Sequence, residues 1–195
     1  MRRGRFVRET KETRIEVEIE LDGTGKSSIE TGIPFFDHLL TSFSFHGLFD
    51  LSIRASGDLD VDDHHTVEDV AISLGKAFRE ALKDSAPVRR FGFAIIPMDE
   101  SLATLAVDIS GRPYLSFSAS FFSSKIGSMS TQMIEHFFRS FSYSSNLTIH
   151  ASASGSNDHH KAEALFKAFG VALDMATQIE RRREISPSTK GIIDS

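Results

Sequence analysis

Two short stretches constrain this chain more than any other part of it: DDHHTVED at residues 62–69 and NDHHKAEA at residues 157–164. In each, two adjacent histidines precede a glutamate, and the first histidine lies four positions before it, His64 with Glu68 and His159 with Glu163. On a helix that spacing puts both side chains on one face, where they can ligate one ion. The second histidines, His65 and His160, project about 100° further round and cannot join the same ion from the same turn. They are placed to serve another. The pattern therefore predicts crossed sites, each ion taking an HxxxE pair from one half of the chain and the spare histidine from the other.

The two stretches belong to a longer repeat. From His38 to Gly57 is nineteen residues, and from His136 to Gly155 is again nineteen. Before each glycine lies the same order of elements. TRIEVEIEL (13–21) alternates as a half-buried strand, IPFFDHLLTSFSFHG (33–47) has helical spacing, and LFDLSIRASG (48–57) reads as a strand. The helix HHTVEDVAISLGKAFREAL (64–82) follows. In the second half 103–111 and 114–121 alternate as strands, 131–145 is helical, 147–155 is a strand, and 159–176 is a helix. Repetition on this scale predicts an α+β chain of two similar halves, each an antiparallel or mixed sheet with helices packed on one face. The boundary falls near KDSAPVRR, giving repeats of residues 1–86 and 87–195. His38 and His136, matched in the shorter helices, would add a fourth ligand to each ion.

Composition removes several other classes. Net charge is −5, so there is no electrostatic footprint for nucleic acid. MRRGR at the start and RRR at 181–183 read as a solvated terminus and a helix end. With no cysteine, disulfides and thiolate metal sites are excluded, which fits a reducing cytoplasm. No apolar run reaches the roughly 18 residues of a membrane helix, and the N-terminus lacks a signal-peptide core. The seventeen phenylalanines are expected to fill the core. Nitrogen and oxygen donors without sulfur favour Mn, Fe, Co or Zn, and octahedral coordination would favour Mn or Fe. His46 and His150 do not match in the repeat; His46 ends its helix beside Gly47, and His150 is an exposed strand residue.

At these residues the chain resembles imidazoleglycerol-phosphate dehydratase of histidine biosynthesis. The resemblance is carried by LDGTG, FFDHLL, HGLFDL, DDHHTVED, RFGFAIIPMDE, DISGRP, EHFF, NDHHKAEALFKAFG and PSTKG, in family order from about Thr10 to Gly191. It implies a ribosomal protein S5 domain 2-like fold and elimination of water from imidazoleglycerol phosphate to give imidazole acetol phosphate. It also implies a pair of manganese ions (Mn2+) per active site, completed where subunits meet in a homo-oligomer of about 24 chains. One ion would take His64, Glu68, His136 and His160, the other His38, His65, His159 and Glu163. The phosphorylated imidazole substrate would be held by Arg90, Arg112, Lys167, Ser188 and Lys190, the last two in a C-terminal phosphate-binding tail.

Glu12, in ETKETRI, is the candidate carboxylate for the carbon proton, acting with the ligands His64, Glu68, His159 and Glu163. From its residue context alone it reads as a solvated strand-edge glutamate. The chain departs from the family pattern at Pro34, at Gln132, and at Ser42, where the family commonly has a phosphate-contacting glutamine. Two other readings of the same residues stay open: a dinuclear metallohydrolase acting on a phosphoester, and a metal-stapled structural module with closed coordination.

Overall fold

In the computed structural model the alternating segments are strands and the periodic ones helices; the structure describes residues 1–83 and 87–182. The first half contains β1 (Arg3–Glu9), β2 (Thr13–Glu20), β3 (Ser27–Glu30), α1 (Pro34–Gly47), β4 (Asp50–Gly57) and α2 (His64–Leu82). The second contains β5 (Phe91–Met98), β6 (Ser101–Asp108), β7 (Tyr114–Ser118), the short β8 (Lys125–Ile126) and β9 (Met129–Ser130), α3 (Gln132–Ser145), β10 (Thr148–Ser154) and α4 (Asp158–Thr177). Strand order is β1-β2-β4-β3 in one sheet and β5-β6-β10-β7 in the other, the same arrangement twice. Both sheets are mixed: β3 runs parallel to β4, and β7 to β10, while the remaining pairs are antiparallel. A parallel neighbour needs a crossover, and α1 and α3 supply it.

The strands turn their apolar rows inward. Ile15, Val17 and Ile19 of β2, and Ala103, Leu105 and Val107 of β6, are buried, and α2 and α4 pack over them. The helices of one half then pack on those of the other, α1 on α4 and α2 on α3, so that all four lie between the sheets. One continuous core results, in which ten of the seventeen phenylalanines are buried, whereas Phe45, Phe91, Phe93 and Phe122 are exposed. Phe43 stacks on Phe169 with centroids 4.9 Å apart, and Phe137 lies 4.9 Å from Phe166. Burying such a ring contributes roughly 1.5–3 kcal/mol.

Two expectations need correction. MRRGR is not a free terminus, because β1 begins at Arg3 and pairs along its length with β2. Its arginines lie along an acidic strand, with Arg3 2.6 Å from Glu20 and Arg2 2.6 Å from Asp22. The segment 103–111 ends as a strand at Asp108, and 114–121 ends at Ser118, where the chain leaves the sheet. Strand β5 is not among the elements expected from the sequence; it has no apolar–polar alternation, because its outward residues Phe91, Phe93 and Ile95 are 57%, 63% and 60% exposed yet apolar.

The loop after β7 is strapped across the starts of both long helices. Asp158 accepts the amides of Phe122 and Ser123, and the buried Lys161 ammonium reaches Asp158 (2.9 Å) and the Ser120 carbonyl (2.6 Å). Asp63 accepts the Ser130 hydroxyl at 2.9 Å. Among the described residues no helix is long and apolar enough to cross a membrane.

The helix pairs come closest where glycine permits it. A Cβ on Gly170 of α4 would lie 2.3 Å from the Phe43 carbonyl oxygen of α1, and one on Gly75 of α2 2.9 Å from that of Phe141 on α3. Alanine is the better helix former by about 1 kcal/mol, but overpacking costs roughly 1–3 kcal/mol. The obstacle is backbone, which has no rotamer to turn to. Gly170→Ala is therefore expected to lower the midpoint of a denaturant titration; an unchanged midpoint would mean that the helices part freely.

Candidate metal centres

The cross-half pairing carries the histidines with it. α1 and α4 meet with their N-terminal turns side by side. His38 Nε2 lies 3.0 Å from Glu163 Oε2, and His159 Nε2, one turn before Glu163, lies 3.1 Å from the same oxygen. α2 and α3 repeat the arrangement, with His136 Nε2 2.8 Å from Glu68 Oε1 and the His64 and His136 rings 4.6 Å apart. In each trio, His38–His159–Glu163 and His64–Glu68–His136, the ligand atoms lie within 4.8 Å of one another. The starts of the two long helices are anchored by side chains. The Asn157 side chain accepts the amides of His159 and His160, and Asp62 accepts the amide of His64 at 2.8 Å.

These donors fit a divalent cation. Two imidazoles and one carboxylate converge in each trio, with no sulfur and no opposing cation among the three. Three protein donors leave coordination positions for further ligands. Glu163 is kept ionised for that role. Burial pushes its carboxyl up, but the Lys167 ammonium at 2.8 Å and the bond to His38 outweigh it and hold the pKa at about 2.

His65 and His160 are not in either trio. Each follows its trio histidine by one residue, about 100° further round the helix, and turns Nδ1 to a carboxylate. His65 Nδ1 is 3.0 Å from Asp58 and 3.8 Å from Glu12; His160 Nδ1 is 2.8 Å from Glu100. The bond to Asp58 raises the pKa of His65. The bonds from His160 and Ser101 hold Glu100 at about 2. Asp58 and Glu100 had not been singled out from the sequence. Their signal is weak, because both sit in turns, where no periodicity marks a facing partner.

Among the described residues, the phosphate-binding candidates Arg90 and Arg112 are not gathered with Lys167 in one chain. Arg90 grips Asp108 through Nε (2.6 Å) and Nη2 (3.1 Å), and Arg112 is exposed beside Ser110. Both lie at the end of the sheet where Phe91 pairs with Asp108. Lys167 touches Glu163 and Met98, at the opposite end of the eight-residue β5. At roughly 3.3 Å per residue the two ends are roughly 23 Å apart. Ser188 and Lys190 lie outside the described residues. Glu12 sits in the β1–β2 turn, its side chain 54% exposed. Ser42 is buried on α1, His46 is in the last turn of α1, and His150 lies on an exposed sheet face.

Known proteins resemble this chain in both sequence and fold. A sequence model of the family described as imidazoleglycerol-phosphate dehydratase matches residues 31–173. The chain is 57% identical to the imidazoleglycerol-phosphate dehydratase of Methanocella arvoryzae over 99% of its length and 100% of that protein. It is 55% identical to that of Methanococcus maripaludis, with the same coverage. Among solved structures it resembles imidazoleglycerol-phosphate dehydratase from Staphylococcus aureus, with a TM-score of 0.83 and 41% identity over 91% of this chain and 99% of that one. It also resembles the Pyrococcus furiosus enzyme in complex with (S)-C348, with a TM-score of 0.82 and 37% identity over 95% and 99% of the chains.

The Glu163–Lys167 pair makes a prediction for the metal-free protein. A depressed carboxyl pKa stabilises the fold above the ordinary value of 4.5, and that contribution is lost as pH falls toward about 2. In Lys167→Met burial loses its main opponent, so Glu163 should titrate closer to 4.5 and acid destabilisation should begin at higher pH. Carboxyl NMR titration measures this. A value still near 2 would assign the depression to His38 rather than Lys167.

Proposed function

The chain belongs to the imidazoleglycerol-phosphate dehydratase family, and from that premise we propose that it removes water from imidazoleglycerol phosphate to give imidazole acetol phosphate, using two manganese ions per active site. The observation that carries this reading is the pair of His/His/Glu trios, each built across the two halves and each short of a full coordination sphere. His160 of a second copy would join His64, Glu68 and His136; His65 of a second copy would join His38, His159 and Glu163. The inter-subunit site also accounts for the divided phosphate clamp. Arg90 and Arg112 from one copy would then face Lys167 of another, with Ser188 and Lys190 supplied by the tail. Residues 1–86 and 87–195 would be the two structural repeats from which the site is assembled.

The chemistry asks for this division of labour. The proton to be removed sits on a carbon with no adjacent carbonyl, so a base alone faces a high barrier. When bound, the ions would supply Lewis-acid stabilisation for the imidazole ring, which pushes out the hydroxyl and takes up the electron pair left when the carbon proton is removed. Glu12, exposed and beside His65, would take the carbon proton as general base, and the resulting enol would tautomerise to the ketone. The clamp fixes the substrate by its phosphate, through charge-assisted hydrogen bonds that orient the carbon toward Glu12. The absence of cysteine and of a membrane-crossing helix among the described residues supports a cytoplasmic setting.

A turnover assay on metal-stripped protein, reloaded with Mn, Fe, Co or Zn in turn, tests the reading through its product. Ketone supports the dehydratase, whereas free phosphate would indicate a phosphoester hydrolase. His64→Ala and His159→Ala should each abolish turnover and lose one ion per chain, as read by metal analysis. Either variant retaining both ions and near-normal turnover would overturn the ligand assignment.

Splitting the ligands between copies makes metal binding part of the association free energy. Chelation is expected to break an assembly of about 24 chains into smaller inactive oligomers, and Mn to rebuild it, as followed by light scattering. A fully active, metal-loaded monomer at dilute concentration would rule out the shared site.

A further inference from the structure

The histidines that the trios omit are held by carboxylates of different origin. Asp58 follows directly after β4, whereas Glu100 lies in the β5–β6 turn. The sheet register shows what has changed between the halves. Thr13 pairs with Gly57 in the first sheet. In the second, Leu102 pairs with Ser154, and Ser101 lies directly against Gly155. Glu12 and Glu100, each one residue earlier, therefore occupy the same place in the repeat.

They do not do the same work. Glu100 Oε2 is bonded to His160 Nδ1 at 2.8 Å, while Oε1 accepts the Asn157 amide and the Ser101 hydroxyl, each at 2.8 Å. Glu12 stands 3.8 Å from His65 Nδ1, beyond hydrogen-bond range, and Asp58 takes that ring nitrogen at 3.0 Å and 3.2 Å through its two oxygens.

We propose that Glu100 and Asp58 are positioning residues of the metal centres. Each accepts the Nδ1 proton of its histidine and so fixes the tautomer in which Nε2 is the unprotonated donor. In the first half this duty has passed from the hairpin glutamate to Asp58, and Glu12 is thereby released for the substrate. A neutral imidazole has one donor and one acceptor nitrogen, and the bond made by one decides the role of the other. Carboxylates that orient ligating histidines typically contribute 10–100-fold to metal affinity. The proposal rests on the functional reading for the statement that His65 and His160 ligate an ion on another copy. The tautomer itself does not depend on that reading.

Glu100→Gln tests it with almost no change of shape. The Asn157 amide can only donate, so it retains the amide oxygen of the new side chain. The NH2 group then faces His160 Nδ1 and favours the wrong tautomer. In the metal-free protein, nitrogen-15 NMR of the His160 ring should shift from an Nδ1–H to an Nε2–H pattern. Mn affinity, measured by competition with a chelator, should fall about 10–100-fold. Asp58→Ala should remove the same restraint from His65, with a comparable loss of Mn affinity. Glu12→Gln should suppress turnover while leaving Mn affinity within about twofold of the parent. An unchanged His160 ring pattern in Glu100→Gln would overturn the proposal, as would an equal loss of Mn affinity in Glu12→Gln. If the parent protein showed the expected tautomers but no dehydratase turnover, the functional reading would fail and the positioning role would stand.

Discussion

The close approach of helices across the two halves is the constraint on which the rest depends. Each HxxxE pair lies on a long helix, and its third partner lies on a short helix of the other half. Imidazole and carboxylate meet at about 3 Å only if the helix backbones run nearly in contact, and at Gly75 and Gly170 there is no side chain to keep them apart. The apolar faces that press these helices together are the same faces that cover the sheets. Core packing and ligand geometry are therefore one requirement rather than two.

The charges around the trios are arranged so that the ligands are available without further change. Lys167 balances the buried Glu163 carboxylate, and the salt-bridged Asp69 beside Glu68 binds Arg8 and the Thr13 hydroxyl, which fixes the turn that carries Glu12. A buried carboxylate without such a partner would take up a proton instead. The two halves meet this need differently, with Lys167 in one and Arg8 in the other.

Much of this was legible in the sequence because it is periodic. The interval of four residues put His64 with Glu68 and His159 with Glu163 on shared helix faces, and the quarter-turn offset of His65 and His160 was visible in the same way. The nineteen-residue interval ending in Gly57 and Gly155 exposed the duplication. What escaped has no period. Asp58 and Glu100 reach their histidines from turns, so their partners depend on sheet register. Strand β5 hid because both its faces are apolar, and β1 because its arginines, read as a solvated run, are paired with the acids of β2. The phosphate candidates were grouped by the family resemblance, which says nothing of their separation within one chain, and the sheet parts Arg90 and Arg112 from Lys167 by its own length.

The exchange of partners between halves also sets an order on folding. Phe43 of α1 has its stacking partner in Phe169, far along the chain, and Phe36 meets Phe137. During synthesis the first sheet can pair and α2 can dock on it, yet the faces of α1 and α2 that await α4 and α3 remain bare until the second half arrives. Contacts of such long sequence separation form late and slow the approach to the native state. An early half with exposed phenylalanines is prone to associate with other chains in the meantime. The duplication that allows one pattern to build both His/His/Glu trios thus leaves the nascent N-terminal half dependent on a partner that has not yet been made.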